Sequence, residues 1–285
     1  MKAVIPAAGM GTRFLPVTKA QPKEMLPIVD KPSLHYVVEE AIAADINSIL
    51  MITGRGKRAI VDYFDKNWEL EHHFRDTDNP DLEEINAILH KADFFYVRQK
   101  EPLGLGHAIL CAKHFVHDQA FAVLLGDDII LEECCTANIR RLHEQKGASI
   151  VAVEEVPRER LRHYGVIDAE PLDDGTFLVK DLVEKPEPIR APSNLALVGR
   201  YILTPETFGC LEGIKPGLDN EYHLTDALRL LKDREDIFAY KVKGRRLDIG
   251  TKIGWMKASI EMAMHRPEFE GELKDFMNEV LDRES

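Results

Sequence analysis

Long apolar runs are what this 285-residue chain most plainly lacks. No uninterrupted apolar stretch approaches the roughly 20 residues a membrane helix requires, and the run after Lys2 meets Arg13 too early for a signal sequence. Neither a membrane span nor export is expected. Cysteine is scarce as well: Cys111, Cys134, Cys135 and Cys210 show no zinc spacing, and the adjacent pair sits poorly for an ordinary disulfide, so a reducing cytoplasm fits. Positive charge is in deficit. With 37 Lys and Arg against 49 Asp and Glu, the net charge of −12 argues against nonspecific nucleic-acid binding, whose affinity comes largely from phosphate neutralisation by cations. Residues 266–285 carry three basic and seven acidic side chains, most simply a solvated amphipathic helix. There is no internal repeat, low-complexity tract or long linker. No Ser-His-Asp order or nucleophile elbow stands out, and His107 and the His72-His73 pair look unremarkable, the pair lacking helical ligand spacing.

What is present concentrates in the first 31 residues. Lys2 to Pro6 reads as a short apolar strand, Ala7 to Thr12 is free of bulky side chains except Met10, and Arg13, Lys19, Lys23 and Lys31 follow closely. Small residues let backbone N–H groups approach an anion, and the cations neutralise it, which is what a triphosphate needs. Gly9-Met10-Gly11-Thr12-Arg13-Phe14 begins like a dinucleotide fingerprint but fails on detail. Phe14 replaces the third glycine and Pro16 falls where the helix should run. A Walker loop is excluded because one residue, not four, separates the glycines. Lys19 and Lys23 fall on a proline-punctuated segment expected to be extended, so side-chain cations must reach the phosphates from a long excursion.

The first half alternates strand and helix: Ala3–Pro6, a helix near 33–44, a strand 48–53, a helix near 57–64, a charged helical stretch over 65–92, a strand 94–98, a helix 105–113 and a strand 121–125. This βαβ pattern implies an α/β fold with a mostly parallel sheet covered on both faces. From Ala148 the pattern turns β-rich, with strands expected over 149–153, 165–168, 177–183 and 195–203. Helices over 205–211 and 223–232, a strand 237–241 and two helices over 251–264 and 269–283 complete it. One unit is favoured, with parts 1–147, 148–250 and 251–285.

Asp127-Asp128 follows an apolar strand through Gly126, at the carboxyl end where open α/β sheets place ligands. One such carboxylate suffices for Mg²⁺ completed by phosphate and water oxygens, while Asp after a strand is also ordinary turn chemistry. Asp248, between Leu247 and Ile249-Gly250, repeats the pattern and reads equally as a helix-start residue. Glu184-Lys185 before Pro186 is an exposed ion pair or a ligand site, the proline biasing Lys185 toward an extended backbone. Gly165 marks a strand-entering bend or a ligand ring passing the backbone. Gln99 with Gly104 in Leu103-Gly104-Leu105-Gly106-His107 offers a helix start or a base pocket.

The blocks KAVIPAAGMGTRFLPVTKAQPKEMLPIVDKP, GLGHA, LLGDD, YGVI, VEKP, APSNLALVGRYIL and EYHLTDAL occur in an order that closely resembles the bacterial and archaeal UTP–glucose-1-phosphate uridylyltransferases, across nearly the whole chain. Thymidylyl relatives typically show a KQLLP-like segment where this chain has Lys23-Glu24-Met25-Leu26-Pro27. The resemblance implies a Rossmann-like nucleotidyltransferase core with a mostly parallel mixed central sheet flanked by helices, a β-rich sugar-binding part and C-terminal helices. It also implies the reaction of UTP with glucose 1-phosphate to UDP-glucose and pyrophosphate, with Mg²⁺ as cofactor. On the matching positions, Ala8, Gly9 and Gly11 would lie along the nucleotide and Gln99 and Gly104 would read the uracil. Arg13 and Lys23 would hold the triphosphate, and Asp127, with Asp248, would bind Mg²⁺. Gly165 and Glu184 would contact glucose and Lys185 its phosphate. The metal is given to Asp127 rather than Asp128 from the superfamily's post-glycine position. Retention of Arg13, Lys23, Asp127 and Lys185 together argues against a noncatalytic UDP-glucose-binding regulator. The helical ends and the SNLALVGRYIL segment leave surfaces for a homo-oligomer, a dimer or tetramer.

Overall fold

The structure is a computed structural model and describes every residue except Asp78, Asp174 and Ser285. Expectations for the 65–92 stretch at Asp78 and for the tail at Ser285 therefore lie outside the described residues. The chain opens on β1 (Lys2–Ala7), in which Val4 packs toward one face of the sheet while Ala3 and Ile5 pack toward the other. That alternation is the period of a strand buried on both sides. A loop of short 3-10 turns leads to β2 (Pro27–Ile28), β3 (Lys31–Pro32), α1 (Ser33–Ala43), β4 (Ser48–Thr53), α2 (Arg58–Tyr63), α3 (Trp68–His73) and α4 (Pro80–Lys91). Next come β5 (Asp93–Arg98), α5 (Gly104–Leu110), α6 (Lys113–Val116), β6 (Phe121–Leu124), β7 (Asp128–Leu131), α7 (Cys135–Lys146) and β8 (Ser149–Glu155). The rest is β9 (Gly165–Asp173), β10 (Thr176–Glu184), β11 (Leu195–Leu203), α8 (Glu206–Gly213), α9 (Leu224–Lys232), β12 (Ile237–Lys241), β13 (Arg245–Asp248), α10 (Lys252–Met264) and α11 (Pro267–Glu284).

Among the described residues a nine-stranded sheet runs in the order β5-β4-β1-β6-β11-β8-β12-β10-β9. β5, β4, β1 and β6 are mutually parallel, joined by helical crossovers. Beyond them the sheet is mixed rather than mostly parallel: β12 runs parallel to β8, but β11 is antiparallel to β6 and β8, and β10 to β9 and β12. The β9–β10 hairpin explains part of this, since a short turn joins only antiparallel strands. Ala196 of β11 also pairs with Val166 of β9, so β11, β8, β12, β10 and β9 close into a ring of pairings.

Helices cover both faces. Leu34, Val37, Val38, Ile60, Ile88 and Ile139 pack on one side, while Ile109, Phe208, Leu211, Leu224, Leu228 and Leu231 pack on the other. β7 pairs with β13, and Ile129 and Leu247 of that pair bury Ile28 and Ala258 of α10. α7 and β7 had no counterpart in the sequence pattern. α7 buries little more than Cys135, Thr136 and Ile139 and starts at Cys134 with no side-chain cap, while β7 is four residues long and exists by pairing with distant β13. Because β1, β4, β5 and β6 run the same way, the segments that follow them meet at one edge: Ala8-Gly9, Gly54-Arg55, Gln99 and Gly126-Asp127. No helix among the described residues is long and apolar enough to cross a membrane.

Candidate active site

A cavity of about 370 Å³ lies at that edge, lined by Ala8, Gly9, Lys19, Lys57 and Gln99 among others. Gln99 is buried, and its Nε2 donates to the Gly104 carbonyl at 3.1 Å and lies 2.9 Å from His107 Nδ1. Both amide hydrogens are thereby used, which leaves the side-chain carbonyl as the free acceptor. His107, unremarkable in sequence, thus orients Gln99; its place three residues after Gly104 on a single helical turn was the available signal. Gly104 sits at φ 91°, and a Cβ there would stand 2.7 Å from Glu221 Cβ and 3.0 Å from the Tyr222 carbonyl. The Tyr222 carbonyl accepts the Gly106 N–H at 2.7 Å, clamping the EYHLTDAL segment onto this turn.

A larger cavity of about 680 Å³ is lined by Arg13, Asp127, Gly165, Glu184, Lys185 and Asp248, together with Arg160, Tyr164 and Arg246. Lys23 Nζ donates to Asp127 Oδ2 at 2.8 Å, and the Cβ of Lys23 would lie 3.3 Å from one built on Gly11, so Gly11 and Lys23 share one corner of the loop. The Lys23 charge, working against burial, holds the Asp127 carboxyl below its usual range. Burial acts against the Lys23 ammonium, but Asp127 and Glu24 outweigh it and raise its pKa. The neighbouring carboxylate behaves differently. Asp128 also lines this cavity but is buried, accepting from Arg246 Nε at 2.6 Å and from the Gly199 N–H at 2.9 Å, so it braces the framework while the more exposed Asp127 is open to the cavity. Asp248 accepts from the Tyr164 hydroxyl at 2.9 Å and from the Gly250 N–H at 3.1 Å. A Cβ on Gly250 would lie 3.2 Å from Asp248 Oδ1 and 3.4 Å from Asp127 Oδ2, so these two oxygens face one small shared volume.

Gly165 and Glu184 are register partners across the β9–β10 hairpin. Thr225 Oγ1 donates to Glu184 Oε2 at 2.7 Å, while Glu184 Oε1 lies 3.5 Å from both Lys185 Nζ and His223 Nδ1. A Cβ on Gly165 would be 2.7 Å from Thr225 Oγ1, so the close approach of α9 depends on glycine there. Lys185 is not extended as its proline suggested. It adopts φ 45°, and its N–H donates to the Tyr164 carbonyl at 3.0 Å; this cross-strand bond outweighs the local bias.

Other sequence readings also change. The segment after Arg13 is a series of 3-10 turns, Thr12–Phe14, Val17–Lys19 and Lys23–Met25, rather than extended. Lys31 leaves the glycine-rich loop altogether, contacting Glu84 and lying 3.6 Å from Glu39. With His35 those glutamates form an acidic/His group, its donor atoms within 4.8 Å of one another, that does not include Asp127 or Asp248. Supporting residues that no local pattern announced are the buried Glu24–Lys57 pair at 2.7 Å, with Lys57 lining the smaller cavity, and the buried Arg200–Glu40 pair at 2.7 Å. Arg200 also donates to the Leu125 and Asp128 carbonyls, holding the turn that presents Asp127.

Residues 2–264 match the nucleotidyl transferase family. The chain is 50% identical to the UTP–glucose-1-phosphate uridylyltransferase YngB of Bacillus subtilis (strain 168), over 100% of this chain and 96% of that protein. A crystal structure of apo UDP-glucose pyrophosphorylase is similar at a TM-score of 0.88 and 47% identity, over 92% of this chain and 97% of that one. Another, complexed with UDP-glucose, is similar at 0.86 and 46% identity, over 93% and 99%. With its loop, paired carboxylates and hairpin site all on the sheet edge, this chain belongs to the nucleotidyl transferase family and, within it, to the UTP–glucose-1-phosphate uridylyltransferases.

Proposed function

We propose that the chain forms UDP-glucose and pyrophosphate from UTP and glucose 1-phosphate by in-line attack, with the two cavities holding the two substrates. The observation that carries this reading is that one glycine-rich loop serves both: Ala8 and Gly9 line the smaller cavity and Arg13 the larger. The base lies in the smaller one, its imide N–H donating to the free Gln99 carbonyl, with Ala8, Gly9 and Gly11 along the nucleotide and Gly104 backing Gln99. Glucose lies against Gly165, its hydroxyls donating to Glu184, and Lys185 takes the sugar phosphate.

A phosphate oxygen of glucose 1-phosphate bonds to the α-phosphorus as the bond to the α–β bridging oxygen breaks, and that electron pair departs on pyrophosphate. No general base is required, because the second pKa of a phosphomonoester is about 6, by analogy with phosphoserine. The difficulty is instead the meeting of two polyanions, which positioned cations relieve. Arg13 meets the charge developing on pyrophosphate, and Lys23 swings from Asp127 to the α-phosphate region. The donor set at Gly250 fits Mg²⁺, which takes one or two carboxylates and completes its shell with other oxygens. Asp127 and Asp248 would hold it, and when bound it supplies positive charge to phosphate oxygens.

Exposed Ile253, Met256 and Phe276 on α10 and α11 support self-association as a dimer or tetramer. The free cysteines suit a cytoplasmic setting. The deciding experiment is pyrophosphate release with glucose 1-phosphate and each of UTP, dTTP, CTP and ATP. UTP should dominate, and Arg13→Ala should lower turnover by about 10² to 10³. Activity confined to dTTP would move the assignment to the thymidylyl branch.

A further inference from the structure

Away from the catalytic cavities, His35 and Glu39 lie four residues apart on one face of α1, and Glu84 reaches them from α4. His35 is 1% exposed. Its Nδ1 is 2.8 Å from the Tyr63 hydroxyl. Its Nε2 is buried without a hydrogen-bond partner, although Glu39 Oε1 stands 3.2 Å away. A buried ring nitrogen facing a carboxylate is satisfied either by a proton it donates to that carboxylate or by a cation that both groups bind. Lys31 brings one positive charge to the two carboxylates. In the tautomer whose Nδ1–H donates to the Tyr63 hydroxyl, the Nε2 lone pair points at the glutamates, the arrangement by which an outer hydroxyl or carbonyl orients a metal-binding imidazole.

We propose that His35 Nε2, Glu39 and Glu84 form a second divalent-metal site, suited to zinc, which ties α4 to α1 away from the catalytic carboxylates. One imidazole and two carboxylates are ligands zinc accepts, whereas Mg²⁺ prefers oxygen alone. Zinc bonds of about 2.1 Å set tetrahedral donors roughly 3.4 Å apart. His35 and Glu39 already stand 3.2 Å apart, and the whole set lies within 4.8 Å. Closing the remainder falls to Glu84, whose side chain is 43% exposed and free to change rotamer. Zinc takes the place of the Lys31 ammonium, so Lys31 is its competitor. Bound there, it fastens the charged stretch before β5 onto the helix that also carries Glu40.

The test is a zinc titration of the chelator-stripped full chain carrying Asp127→Asn and Asp248→Asn, which removes the other candidate carboxylates, read by competition with a chromophoric chelator. One equivalent per chain is expected. Tyr63→Phe should weaken it by about 10- to 100-fold, and Glu84→Gln, which loses a ligand, by at least as much. Lys31→Met should tighten it. His35→Gln alters a buried side chain and can disturb folding, so the half-exposed Glu84→Gln carries the test by itself. Absence of a zinc equivalent, or one whose affinity is the same in Glu84→Gln, overturns the site and leaves an ion-pair group around Lys31.

Discussion

Asp127 and Asp128 are adjacent in sequence and opposite in duty. Asp127 is about a third exposed and faces the larger cavity with Lys23 as its partner, whereas Asp128 is 6% exposed and spends its oxygens on Arg246 and Gly199. Asp127→Ala should therefore leave the fold near wild type while abolishing pyrophosphate release. Asp128→Ala takes from the buried Arg246 guanidinium its closest carboxylate, leaving it Glu154 at 3.2 Å, and should cost about 1–3 kcal/mol, read as a lowered denaturant midpoint with an unchanged slope. Equal loss of stability in both variants would refute this division. Sequence chemistry placed a carboxylate pair after the strand but could not orient it. Facing depends on Arg246, more than a hundred residues away, which no local pattern reports.

At the scale of elements, the pocket proposed for the base depends on a turn that favours glycine. Gly104 adopts φ 91° with Glu221 and Tyr222 packed against it, and its carbonyl holds Gln99. Gly104→Ala should cost about 1–3 kcal/mol, and steady-state kinetics should show KM for UTP rising more than KM for glucose 1-phosphate. A uniform fall in kcat with both KM values unchanged would sever Gln99 from base binding. The glycine-bearing turn itself was legible as a base pocket or helix start. The clamp from Tyr222 was not, because EYHLTDAL reads locally as an unremarkable helix approach. Strand periodicity likewise revealed the parallel core but not the mixed half, since antiparallel partners are chosen by connection length and pairing across the sheet.

Across the whole molecule, charged contacts tether the C-terminal helices to the rest of the chain, among them Arg245 to Glu261 at 2.8 Å and the Lys252 ammonium donating to the Leu15 carbonyl at 2.8 Å. Arg266, between α10 and α11, forms an ion pair with Asp30 in the turn between β2 and β3. That contact, chiefly the hydrogen bond from Arg266, holds the Asp30 carboxyl below its ordinary value. A folded pKa below the unfolded one means that the stabilisation is present above the unfolded value of about 3.9 and drains as pH falls through the folded one. The difference in Tm between the wild type and Asp30→Asn should hence be constant from about pH 5 to 7 and close below about pH 4. A difference that persists into strong acid would show that the tether is not this ion pair.

The sequence by itself determined the local chemistry: a glycine-rich loop with cations after a buried strand, carboxylates at strand ends, and an alternating α/β core. These follow from backbone sterics, hydrophobic period and charge, which act over a few residues. Tertiary structure alone decided which carboxylate is open to the cavity and which is buried, that Lys31 leaves the glycine-rich loop for α1 and α4, that Lys185 turns to φ 45°, and that His107 aims Gln99. Each of these is set by a partner brought in by packing, such as Lys23 to Asp127 across 104 residues. A side chain's direction is fixed by the neighbour that satisfies its charge or hydrogen bond, and that neighbour exists only once the sheet has assembled.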